Sequence, residues 1–234
     1  MIKRLVPQAY RVYAKLLIRN VHDLAKGSYW QFARVRGSAD FDNFLSIKQA
    51  LGDNEQKRKN LEEASQSIER LVVMPGEIFS FWRAAGAPKA SRGFVASRSI
   101  VNGEIESSVG GGLCQLSGLI YFLSLRRELE IMERHPHSMD IYTEEERFTP
   151  LGSDATVVYG YKDLRIRNNT LSPMKFLFSI QHGILEGRLL FNGNFEEKNL
   201  EFRVVTLGNG NKQVSTVRGG RVIDKSNYGI RASR

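Results

Sequence analysis

The chain has 234 residues, of which 41% are apolar and 25% charged. That composition is long and apolar enough for one sizeable core and excludes a disordered polymer. One cysteine rules out an internal disulfide and a cysteine-rich zinc site, and the four histidines fall at no metal-ligand spacing. Neither a metal nor a cofactor is expected.

The net charge of +9 is uneven: residues 1–40 and 198–234 each carry +6, while 41–197 carry −3. Basic ends on a slightly acidic body suit an anionic surface, or serve only as solvated faces. No recognised motif or basic–aromatic interleaving points to nucleic acid, which is not expected as a partner. No apolar run approaches the roughly 20 residues of a membrane span. The opening stretch is interrupted by Gln8, Arg11, Lys15 and Arg19, so it does not read as a secretory signal. A cytoplasmic location follows as the expectation, with peripheral contact at the inner membrane face as an option.

Residues 7–26 are predicted to form an amphipathic helix, with Val12, Leu16, Leu17, Val21 and Leu24 on one side and Arg11, Lys15 and Arg19 on another. Its apolar stripe is expected to dock on the body; the alternative is an anionic membrane. Asp53 and Gln56 read as a capping-box variant opening a helix over 54–73, which Pro75–Gly76 stops. Glu77–Trp82 alternates as a half-buried strand, Phe94–Val101 reads as a second, and Asn102–Gly103 as a hairpin turn.

Val109–Leu119 reads VGGGLCQLSGL, and the rest of the chain is organised around it. Gly110, Gly111 and Gly112 lead into Cys114, after which Leu116, Leu119, Ile120 and Leu123 take the spacing of one helical face. A helix starting there sets the sulfur among unpaired backbone N–H groups at the positive end of the macrodipole. A thiol in that setting becomes a nucleophile. The plainer alternative is a small buried hydrophobe.

This helix is expected to run to about Leu129, and Pro136 between His135 and His137 forces extended backbone. Strands are predicted at Ala155–Tyr159, Leu164–Arg167, Met174–Gln181, Ile184–Phe191 and Leu200–Leu207, with His182–Gly183 as a hairpin and a short last element at Gly219–Asp224. Helices first, then a glycine turn, a cysteine-bearing helix and a mostly antiparallel sheet define an α+β fold.

Cys114 at a helix start, His135 or His137 before strands, and Asp154 entering the next strand supply nucleophile, base and orienting acid. Gln115 and the N–H groups of Gly110, Gly111 and Gly112 are candidates for an oxyanion site. The order resembles transglutaminase-like and papain-like cysteine enzymes, in order and element type only. Asp163 is a second candidate acid, though Asp163–Leu164–Arg165 reads equally as a strand-edge charge pair.

PGEIFSFW at 75–82, GGGLCQLSGLIY at 110–121, ERHPHS at 133–138, LGSDATVVYG at 151–160 and DLRIRNNT at 163–170 resemble the VanW family, accessory proteins named from vancomycin-resistance gene clusters. The resemblance implies attention to Cys114, Gln115, His137, Ser138 and Asp154, and it alone prefers His137 over His135. It also implies a cell-wall context, without an established biochemical activity.

The expected organisation is a basic helical segment over 1–50, a VanW-like core over 51–197 and a basic β extension over 198–234. Two functions are consistent with this. One is cysteine-dependent acyl transfer or hydrolysis on peptide or muropeptide-like substrates by Cys114, His137 and Asp154, with His135 and Ser138 as binding residues. The other is a non-catalytic module for an anionic cell-envelope ligand.

Overall fold

The computed structural model describes residues 7–34, 39–101, 104–140 and 149–229. The fold is α+β, with a few helices among antiparallel sheets. Asn102–Gly103 lies outside the described residues.

The helix predicted at the start is α1 (Gln8–Ala25), and its contact face differs from the expected stripe. Val12 packs on Gly160, Leu16 is half-buried, and Arg19 and Asp23 point inward, whereas Leu17, Val21 and Leu24 are exposed. The attachment is largely ionic. Asp23 is buried and paired through both oxygens with the Arg165 guanidinium, at 2.7 and 3.0 Å, and Arg19 reaches Glu133 at 2.6 Å.

Asn43–Ala50, placed by sequence in a helical segment, forms strand β1 and pairs antiparallel with β8 (Ile184–Phe191). The other neighbour of β8 is β7 (Met174–Gln181), joined to it by the expected hairpin, in which His182 and Gly183 both take positive φ. Helix α2 (Glu55–Ile68) is capped by Asn54 rather than Asp53: the Asn54 side chain accepts from the Lys57 N–H at 2.8 Å.

The alternating run at 77–82 divides into β2 (Ile78–Ser80) and the short helix α3 (Phe81–Ala85). Ser80 caps α3, its hydroxyl oxygen accepting from the Arg83 N–H at 3.3 Å, and the buried Asp163 carboxylate accepts from the Ser80 hydroxyl at 2.6 Å and from the Trp82 N–H at 3.1 Å. β3 (Ala96–Val101) and β4 (Glu104–Val109) form a hairpin that delivers the chain to the glycine turn.

Helix α4 (Leu113–Arg126) is the centre of the core. Leu116, Leu119, Ile120 and Leu123 are fully buried, but so are Ser117, Gly118 and Ser124, so the helix is enclosed except along a partly open stripe of Gln115, Phe122 and Arg126 and at Cys114. Its serines meet that enclosure by hydrogen bonding to the Ala155 and Ile120 carbonyls, at 2.6 and 2.7 Å. Each buried leucine contributes about 1.5–3 kcal/mol.

β5 (Glu130–Glu133) and β6 (Arg165–Arg167) complete a small sheet with β2. Ala155–Tyr159 is not a strand: it makes one isolated bridge, Val158 to Lys162, and Tyr159 already lies in a turn. Its inward groups bond to other elements, the Ala155 carbonyl to Ser117 and the Thr156 N–H to the His135 carbonyl. In the tail, β9 (Leu200–Thr206) is followed by β10 (Lys212–Arg218) and β11 (Arg221–Tyr228), where the sequence suggested only a short element. These three form one antiparallel sheet whose last hairpin turns at Gly219–Gly220, both at positive φ.

Candidate functional site

Cys114 is the second residue of α4, half-buried, after an N-cap at Gly112. Gly112 has φ 92°, a conformation that side chains resist, and a Cβ there would lie 2.5 Å from Cγ of Lys57. The turn is thus specified by backbone geometry and close packing. Its N–H groups are partly used: Gly110 donates to Val95 and Gly111 to Ser108, each at 3.1 Å. The Gln115 amide nitrogen donates to the Ala50 carbonyl at 3.0 Å, and its Oε1 is buried without a donor among the described residues. The donors expected from Gly110, Gly111 and Gln115 are therefore engaged in the fold.

The Cys114 thiol lies 3.8 Å from the Val157 carbonyl oxygen. The His137 ring stands near enough for the sulfur to act on its protonation. Asp154 orients that ring: Oδ2 accepts from both the His137 backbone N–H and Nδ1, each at 2.7 Å. With Nδ1 taken, Nε2 is the nitrogen left for the sulfur. Burial alone lowers the imidazole pKa, but Asp154 and Cys114 together outweigh it and raise the pKa to about 10. For Asp154 too, burial acts upward, yet His137, Arg134 and Tyr228 hold the carboxyl well below the usual carboxylate range.

His135 is not part of this cluster. Its Nε2 meets Glu133 at 3.0 Å, and its carbonyl accepts from Thr156. Burial acts to raise the Glu133 carboxyl, but His135 and Arg19 bring it down to about 2. Ser138 is exposed, and its carbonyl accepts from the Gly229 N–H at 2.8 Å. Asp163 belongs to the ionic cluster under α1 rather than to the thiol.

Two residues at the site have no sequence signal that assigned them. Arg134, a flanking residue in the linear motif, is buried over the Tyr121 ring and donates to the Asp154 carbonyl at 2.8 Å and to its Oδ1 at 3.1 Å. The Tyr228 hydroxyl, from β11, donates to the same Oδ1. No sequence spacing links Tyr228 to the cysteine; only the return of the last strand brings it near.

Residues 56–190, more than half of the chain, match the family model described as VanW like protein. The chain is 34% identical over 116 residues to the Vancomycin B-type resistance protein VanW of Enterococcus faecalis (strain ATCC 700802 / V583), covering 50% of this chain and 42% of that protein. It is 32% identical over 121 residues to the Uncharacterized protein YoaR of Bacillus subtilis (strain 168), covering 52% of this chain and 38% of that one. The matched region is thus less than half the length of either relative. No solved structure matches. Spanning the glycine turn, Cys114, His137 and Asp154, the match establishes that the chain belongs to the VanW-like family.

Proposed function

We propose that the protein is a cysteine-dependent acyl transferase or hydrolase acting on peptide or amide groups of cell-wall precursors. The observation that carries this reading is the His137 imidazole, hydrogen-bonded through Nδ1 to Asp154 at 2.7 Å and near enough to Cys114 for the sulfur to act on its protonation. Nucleophile, imidazole and orienting acid are thus gathered in the order such chemistry uses.

In this reading the proton already sits on the His137 imidazolium, and Cys114 Sγ, as the thiolate paired with it, bonds to the carbonyl carbon of the substrate amide. The C–N bond then breaks, and the departing nitrogen takes the proton from the imidazolium. Water, or an acceptor amine, attacks the thioester, gives a proton to His137, and the C–S bond breaks. That proton stays on His137, and the thiolate–imidazolium pair of the resting enzyme is restored. With two glycine N–H groups and Gln115 engaged elsewhere, the Cys114 N–H at the start of α4 is the donor best placed for the oxyanion. The vancomycin-resistance name of one relative supports a wall precursor as the substrate class.

A binding module for an anionic envelope ligand is the second reading. It draws on a cleft of about 370 Å³ beside the histidine loop, where Arg218 and Lys225 stand with Arg134, Glu133 and Asp224. Iodoacetamide labelling separates the two. The first reading expects rapid alkylation of native Cys114 at mildly acidic pH, slowed about tenfold or more by His137→Ala and less by Asp154→Asn. A thiol that reacts only on unfolding, whatever stands at 137, leaves the binding module.

A further inference from the structure

Helix α1 is attached in an unusual sense. A surface helix normally turns its apolar stripe inward and its charges outward. Here the inward face carries Arg19 and Asp23, neutralised by Glu133 and Arg165. The outward face carries Tyr10, Tyr13, Leu17, Ile18 and Val21, each more than half exposed, with Leu24 nearly so. At 100° per residue these six side chains and Ala14 occupy one continuous arc. An apolar face of that extent on a folded domain marks a contact surface.

The flank of the arc identifies the partner. Arg11 and Lys15 are exposed along one edge, and Lys26 stands just past the C-terminal end. The only acidic residue of α1, Asp23, is buried. The outward surface therefore combines apolar and aromatic side chains with cations and no exposed carboxylate. We propose that α1 seats the protein on an anionic lipid bilayer, lying flat with Leu17 and Val21 in the acyl boundary, Tyr10 and Tyr13 at headgroup depth, and Arg11 and Lys15 against the lipid charges. Two copies joined through this face would instead set cations against cations. The ionic underside lets the helix hold to the body while its apolar side faces lipid, so lipid binding requires no unfolding.

Co-sedimentation of the full chain with vesicles of phosphatidylglycerol and phosphatidylcholine tests this. Binding is expected at low salt, with little to vesicles of phosphatidylcholine alone, and it weakens at about 1 M salt, where the screening length falls to about 3 Å. Leu17→Asp/Val21→Asp should lower the partition coefficient at least about tenfold. Arg11→Gln/Lys15→Gln, which leaves the apolar face intact, should lower it roughly 25-fold, about fivefold per charge. Both variants should melt like the parent, since these side chains face away from the fold. Absence of binding to the anionic vesicles overturns the proposal, as does binding that both variants retain. A concentration-dependent dimer abolished by Leu17→Asp/Val21→Asp would give the face to a second copy and overturn it too.

Discussion

Tyr228 and Asp154 are 74 positions apart in the chain, yet the tyrosine hydroxyl donates to Oδ1 of the aspartate. The family match ends at residue 190, so the support for the candidate orienting acid comes from a strand beyond it. Ser226 and Asp224 of the same strand bind Arg134, which donates to that same Oδ1. The C-terminal sheet therefore takes part in the site's geometry.

Tyr228→Phe removes two hydrogen bonds, the one donated to the Asp154 carboxylate and the one accepted from the Arg134 guanidinium at 3.2 Å. It should destabilise the protein by at least about 1.5–3 kcal/mol, the range for one such bond. Iodoacetamide labelling of Cys114 should slow, but less than in His137→Ala, because Tyr228 acts on the thiol through Asp154 and the imidazole. Urea unfolding and alkylation rates measured on the same preparations check both effects.

The raised pKa of His137 links stability to pH. A group that holds its proton more tightly when folded stabilises fully below its unfolded pKa, about 6.5, and loses that contribution as pH climbs through the folded value of about 10. Stability should therefore fall between those limits, and His137→Gln should flatten the fall. Glu133 acts at the other end: with its carboxyl held down to about 2, its contribution is present above about pH 4.5 and is lost on acidification below that. Denaturant midpoints across the pH range, read for parent, His137→Gln and Glu133→Gln, test both signs.

Asp23→Asn should cost about 3 kcal/mol, the low end for breaking a buried ion pair, because Arg165 keeps Glu133 and Asp163 as partners. The loss should be felt first at α1. Limited proteolysis is expected to cut near residue 26 faster than in the parent, before the body unfolds.

Gly112→Ala forces a side chain into a left-handed backbone position and into the Lys57 stem. The backbone alone costs about 1–2 kcal/mol. Because Gly112 caps α4 two residues before Cys114, the variant should lower both the melting temperature and the alkylation rate, whereas Gly183→Ala, with open space around it, should not affect the thiol.

The parts of the fold readable from sequence are those specified locally. The glycine turn and the leucine spacing placed the start of α4, and His182–Gly183 between two apolar runs placed the β7–β8 hairpin, because each signal lies within a few residues of what it specifies. Ala155–Tyr159 misled because its alternation reports burial, with Ala155 and Val157 inward, and says nothing about whether a neighbouring strand exists. At the end of β2 the cap Ser80 is local, but the carboxylate that fixes its hydroxyl and the Trp82 N–H belongs to the distant Asp163. β1 needed a partner from the far end of the core. At the site, Cys114, His137 and Asp154 were legible from residue type and motif, while Arg134 and Tyr228 depend on how the last sheet packs.

The two hydrogen bonds on Oδ2 of Asp154 have a further consequence. One atom fixes both the path of the histidine loop and the rotation of its ring, so the two cannot be adjusted separately. Glutamate, one methylene longer, would carry that oxygen away from at least one of its two partners and is not a conservative replacement here. A single proton arriving on that oxygen would weaken backbone and ring contacts together, so the loop and the imidazole should let go as one unit.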